Sequence, residues 1–236
     1  MVDNIVGIIG PGGCGGHFLD WTLHYLIGHD NIKYVWVDRQ QTLFRQVLDQ
    51  KIKHNPLKND GTAHLHLTTH PTEELIQICL DQFCLMSDEN ITIHTMFIAP
   101  KKTSFHSRRT YTSIVNDITE KYTEIKFIHF IYPDKSLEDF AQRIYTKVPK
   151  TIHTANISIN SMRTFVKIGS YDPNKIINKP NVYPLNIDAM FFNLNSEIRK
   201  IFDWLSLSIN EERYSHWIDV YKQWQVAQNF CTTIES

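Results

Sequence analysis

The sequence predicts an α/β fold with a mainly parallel sheet flanked by helices on both faces. Three observations carry this expectation. The run Ile5 to Ile9 is apolar throughout, as a strand buried on both faces of a parallel sheet requires. Glycines follow it at once, and then apolar residues at helical spacing. Strand-like and helix-like segments alternate along much of the remaining chain, the order that layers helices over a parallel sheet.

The first strand ends at Gly10 and Pro11, and Phe18, Leu19, Leu23, Leu26 and Ile27 mark one face of a helix that Gly28 would cap. Tyr34 to Val37 reads as a second strand ending at Asp38, and Leu43 to Ile52 as a second helix broken by Asn55 and Pro56, a βαβα opening. His54 to Pro71 is polar and reads as an exposed loop. A helix is expected over Glu73 to Leu85, a strand over Ile91 to Phe97, a helix over Tyr111 to Lys121 and a strand over Ile125 to Ile131, closed by Pro133. Leu137 to Tyr145 reads as a further helix. Gly169 to Pro184, with Pro173 and Pro180, reads as a long irregular connection. From Ser196 onward helical periodicity returns, with Trp204, Trp217, Tyr221 and Trp224 as expected core anchors. The 236 residues are read as one α/β domain whose C-terminal portion, about 196–228, is helical, with a loosely ordered tail after Val226.

A formal net charge of −1 excludes any whole-protein attraction to nucleic acid or to anionic membrane, so an anion site must be local and a small ligand is favoured over a polymer. No apolar run approaches membrane-spanning length. Cys14, Cys79, Cys84 and Cys231 have neither CxxC spacing nor the density of a disulfide framework, which points to a reducing, cytoplasmic compartment. His64, His66 and His70 form an HxHxxxH pattern, but no Cys or carboxylate completes a ligand set, so no metal site is assigned.

The stretch Gly10-Pro11-Gly12-Gly13-Cys14-Gly15-Gly16-His17 joins the first strand to the first helix. Glycines there would let backbone N–H groups turn around an anion at a helix N-terminus; the plain alternative is a tight turn that packs helix on sheet. As a Walker A loop it has Gly10 and Gly15 correctly separated, but Gly16 and His17 stand where the ammonium and the magnesium-binding hydroxyl belong. As a dinucleotide fingerprint, Gly10, Gly12 and Gly15 satisfy GxGxxG and Asp38 ends the next strand where a ribose-binding acid would sit, so an NAD(P)-dependent oxidoreductase is a second reading.

Two segments resemble the P-loop sulfotransferase family. Gly12 to Leu19, GGCGGHFL, resembles that family's PRSGSTFL-type 5′-phosphosulfate loop, with Gly15, Phe18 and Leu19 matching, Cys14 in place of Ser and Gly13 in place of the basic residue. Leu185 to Glu212, LNIDAMFFNLNSEIRKIFDWLSLSINEE, resembles its C-terminal pattern of a "yEdL" segment, an amphipathic helix and "fLGLp..ee". There Asp188 and Ala189 stand for the Glu-Asp pair and Ser206 for the usual Gly. Ile91 to Phe97, ITIHTMF, resembles the strand that ends near the catalytic His of cytosolic members, and Ile128 to Arg143 the strand and motif that hold the cofactor's 3′-phosphate, with Tyr132 in the Arg position.

The resemblance implies a P-loop sulfotransferase-like fold and metal-free transfer of a sulfuryl group from 3′-phosphoadenosine 5′-phosphosulfate to a hydroxyl of a small-molecule or glycan acceptor. It assigns Gly12, Gly13, Cys14, Gly15, Gly16, His17 and Phe18 to the 5′-phosphosulfate, and Tyr132, Ser136 and Arg143 to the 3′-phosphate. His94 is the candidate base, with His17 beside it as a catalytic candidate, because an imidazole titrates near working pH. Lys101, Lys102, Arg108 and Arg109 could supply positive charge that the loop lacks. A third reading is a non-catalytic binding or structural module that keeps the fold without the reaction.

Overall fold

The structure is a computed structural model, and the residues it describes are 5–10, 14–28, 34–37, 44–47, 93–98, 111–131 and 179–227. Their elements, in chain order, are β1 (Ile5–Ile9), α1 (Gly16–Leu26), β2 (Tyr34–Val37), β3 (Phe44–Val47) and β4 (His94–Ile98). There follow α2 (Tyr111–Lys121), β5 (Lys126–Ile131), β6 (Val182–Asn186), α3 (Ile187–Phe192), α4 (Leu194–Leu205) and α5 (Glu211–Ala227).

The protein is α/β, with a parallel sheet of order β4-β1-β5-β6 flanked by helices. β1 lies between β4 and β5, so Val6, Ile8 and Ile9 are fully buried, as its unbroken apolar run requires. Phe127, Ile128 and Phe130 do the same for β5. α1 starts at Gly16 and stops where Gly28 takes a φ of +97° and its N–H donates to the Tyr25 carbonyl at 3.1 Å. Glycine reaches that left-handed conformation without a Cβ clash.

Two elements differ from the sequence expectation. Phe44–Val47 is a strand paired antiparallel with β2, not part of a helix over Leu43 to Ile52. The four-residue spacing of Leu43, Val47 and Leu48 with Ile52 mimics a helix, and only pairing with Tyr34–Val37 decides against it. The opening is therefore β1, α1 and a β2–β3 hairpin rather than βαβα. Val182–Asn186, assigned in part to an irregular connection, is the strand β6. It tolerates Pro184 because, among the described residues, β6 ends the sheet order, where a missing N–H breaks no second ladder. The helices expected over Glu73 to Leu85 and Leu137 to Tyr145 lie outside the described residues.

α3, α4 and α5 pack one wall of the core. Trp217 and Trp224 are buried as expected, while Trp204 is half-buried and its indole N–H donates to the Pro180 carbonyl at 3.3 Å. α4 ends at Ser206, which sits at φ 60° and ψ 38°, in the left-handed region. The N–H groups of Ser206 and Leu207 donate to the carbonyls of Asp203 and Phe202, each at 3.0 Å, so the helix closes on a hydrogen-bonded left-handed cap.

Candidate anion-binding site

The glycine loop leaves the carboxyl end of β1 at Gly10 and enters α1 at Gly16. Among the described residues, the next strand of the parallel sheet after β1 is β4, on one side, and after β5 it is β6, on the other. Neighbouring strands β1 and β5 thus send the chain in opposite directions, the arrangement that opens a ligand crevice at the strands' carboxyl ends. The loop stands at that switch point.

Gly15 occupies the N-cap of α1 at φ 85° and ψ 11° and, as a glycine, brings no side chain to cap the helix. The carbonyl of Gly15 accepts from Leu19 N–H at 3.0 Å, but the N–H groups of the first turn have no intrahelical acceptor. Beneath Gly10 and Gly15 the packing is close. A Cβ on Gly10 would lie 2.7 Å from Phe130 Cδ2 and 2.9 Å from Cys14 Sγ. One on Gly15 would lie 2.9 Å from Met190 Cε and 3.2 Å from two ring carbons of Trp224. Packing opposes a side chain at both positions, and at Gly15 the positive φ opposes it as well. The atoms beneath Gly10 and Gly15 are apolar or weakly polar, and the helix dipole favours an anion at the N-terminus of α1.

Of the residues assigned from sequence, Cys14, Gly15, Gly16 and Phe18 are described here. Cys14 and Phe18 are buried, so they build the floor and the helix core rather than the ligand face. His17 is the second residue of α1. Gly12, Gly13, Tyr132, Ser136 and Arg143 lie outside the described residues, as do the basic residues Lys101, Lys102, Arg108 and Arg109 and the histidines of the HxHxxxH pattern. Among the described residues no cluster of metal-ligating side chains occurs. His94 opens β4 and pairs in register with Ile5, while Ile98 pairs with Ile9 beside the loop. Four strand residues, about 13 Å, separate it from the loop end, so the register does not bring the two together. Asp38 follows a strand that pairs antiparallel with β3, and the parallel βαβ unit a dinucleotide fingerprint needs is not formed by β1, α1 and β2.

The sequence reading missed the floor and a buried polar cluster. Met190, Trp224 and Phe130 reach the loop only through tertiary packing, which no local pattern reveals. Asp20, His24 and Thr95 meet between α1 and β4. The Thr95 hydroxyl donates to Asp20 Oδ1, and His24 Nε2 lies 2.9 Å from the same hydroxyl. Burial raises the Asp20 carboxyl from 3.8 to about 6, partly offset by the Thr95 hydrogen bond. The i,i+4 spacing of Asp20 and His24 was visible, but their burial depends on β4 docking. His129, fully enclosed in β5 between Ile9 and Pro184, is pushed down to about 3 by burial and is neutral at working pH.

The chain is similar to several solved structures. It aligns with the mouse sulfotransferase SULT7A1 complexed with PAP at 11% identity and a TM-score of 0.44, covering 94% of this chain and 65% of that one. For the sulfotransferase from Alicyclobacillus acidocaldarius the values are 13% and 0.45, covering 97% and 94%. For retinol dehydratase in complex with androsterone and inactive cofactor PAP they are 11% and 0.42, covering 93% and 64%. The chain thus spans under two thirds of the length of the first and third of these proteins. No family model and no curated protein matches the sequence. No described helix is long and apolar enough to cross a membrane.

Proposed function

We propose that the chain binds 3′-phosphoadenosine 5′-phosphosulfate through the Gly10–His17 loop and transfers its sulfuryl group to a hydroxyl of a small-molecule or glycan acceptor. The observation that carries this is the start of α1. A left-handed Gly15 hands the chain from the end of β1 into a helix whose N-cap residue has no side chain, over closely packed atoms, leaving backbone donors for an anion. The loop sequence supports a cofactor held without magnesium, because Gly16 and His17 replace the Walker A Lys and Ser/Thr. The left-handed Ser206, at the position where the resembling C-terminal pattern has Gly, fits the same family.

The cofactor, when bound, supplies an activated sulfuryl group. The chain's part is to hold the phosphate end, exclude water and take the acceptor's proton. First-turn N–H groups of α1 hold the anion. We assign His17 as the first group to test for the proton, ahead of His94, since His17 lies in the first turn and His94 at the far end of β4. Tyr132, Ser136 and Arg143 follow β5, whose end adjoins that of β1, and are assigned to the 3′-phosphate.

Thermal shift with adenosine 3′,5′-bisphosphate, NADH, NADPH and ATP tests the proposal. A ligand at a hundred times its Kd adds about 2.7 kcal/mol to native stability. Stabilisation by adenosine 3′,5′-bisphosphate alone is expected, followed by sulfuryl transfer to phenolic or sugar hydroxyls. Stabilisation by a nicotinamide cofactor alone would overturn it. Binding without transfer to any acceptor would reduce it to a binding module.

A further inference from the structure

We infer that Trp224 and Met190 are positioning residues for the anion loop, so that the C-terminal helix α5 sets the loop's affinity for the nucleotide; this rests on the nucleotide site proposed above. The junction between loop and helix lacks the usual means of fixing itself. Gly15 has more conformational freedom than any other residue type, and at the N-cap it offers none of the oxygen that a Ser, Thr, Asp or Asn there would supply. What holds Gly15 at φ 85° is contact from below. Met190 Cε and the benzo edge of Trp224 abut its Cα closely enough that even a methyl group would not fit.

Those two side chains are themselves held. Trp224 is 4% exposed and stacks with Phe18 at 4.5 Å and with Phe191 at 5.2 Å. The Tyr221 hydroxyl donates to the Met190 carbonyl at 3.1 Å and accepts from Leu194 N–H at 3.0 Å, fastening α3 and the start of α4 to α5. Gln225 Nε2 donates to the Phe191 carbonyl at 2.6 Å. The result is a rigid platform from α3 and α5 under one peptide of the loop. Truncating it frees Gly15, and an anion must then order the loop as it binds, which weakens affinity without removing a single ligand contact.

The test compares two indole truncations. Trp224→Leu removes the platform. Trp204→Leu, on α4, removes an indole that contacts Pro180 and Tyr183 rather than Gly15. Binding of adenosine 3′,5′-bisphosphate is measured by calorimetry at a temperature where circular dichroism shows each variant folded. Trp224→Leu is expected to bind at least tenfold more weakly than the unaltered protein, and Trp204→Leu within twofold of it. If Trp224→Leu does not fold, Met190→Ala takes its place, with a smaller loss of threefold or more expected. Equal affinities for the platform and control variants would overturn the inference while leaving the nucleotide site standing. No binding by the unaltered protein would overturn the site, and the inference with it.

Discussion

The indole N–H of Trp217 donates to Thr22 Oγ1 at 3.0 Å, with both side chains fully buried, and so fastens α5 to the middle of α1. Thr22→Val should therefore cost about 1–3 kcal/mol, because it strands a buried donor, whereas Thr22→Val with Trp217→Phe should recover part of the loss. Urea denaturation of the two single variants and the double variant measures the coupling. Additive losses would mean that the hydrogen bond contributes nothing.

Ser206 closes α4 in a left-handed conformation that costs an L-residue roughly 1–2 kcal/mol and glycine almost nothing. Ser206→Gly should raise stability by about 1 kcal/mol once the extra freedom of an unfolded glycine is set against the relief. A shift of the urea midpoint to higher concentration at unchanged slope is the expected result.

Gly10 and Gly28 should respond differently to alanine. Gly10→Ala places a methyl group against Phe130 and Cys14 and should cost about 1–3 kcal/mol by overpacking. Gly28→Ala meets open space, the nearest atom being Asn210 Nδ2 at 3.9 Å, so only its φ of +97° opposes the change, and Gly28→Asn should be tolerated better. Thermal melts of the three variants separate steric crowding from backbone strain.

Two buried groups give opposing pH dependences. His129 titrates near 3 in the native protein and near 6.5 when unfolded, so the stability that comes from its neutral burial is present above pH 6.5 and is lost as pH falls toward 3. Asp20 titrates near 6 when folded and 3.8 when unfolded, so its contribution is present below about pH 4 and lost as pH rises through 6. Each slope approaches about 1.4 kcal/mol per pH unit inside its window. Asp20→Asn should stabilise the protein at pH 7 and lose that advantage below pH 4, while His129→Gln should flatten the acid limb. Denaturant midpoints at pH 4, 5, 6 and 7 test both, and parallel curves for variant and parent would refute the assignment.

The parallel sheet was legible wherever one strand carried its own signal. Ile5–Ile9 and the helix Tyr111–Lys121 fall where their patterns place them, and Gly28 caps α1 as its position suggests. Phe44–Val47 and Val182–Asn186 were not legible, since each is a strand only by virtue of its partner, and Pro184 reads locally as a breaker. At the site, the glycines announced the loop, but its floor belongs to residues that share no pattern with it. His94 illustrates the limit of motif spacing. A histidine within a strand was visible, yet which end of the sheet it occupies follows only from the register Ile5 to His94.

The dependence of Gly15 on Trp224 also orders events during synthesis. β1, the loop and α1 emerge first, but the platform beneath the loop comes from α3 and α5, and even the Thr22–Trp217 contact spans 195 residues. Such long-range closure is slow relative to local helix formation. A nascent chain still holding α5 inside the ribosome would carry the glycine loop without the support that shapes it, so the nucleotide site proposed above would form only once α5 has emerged and docked.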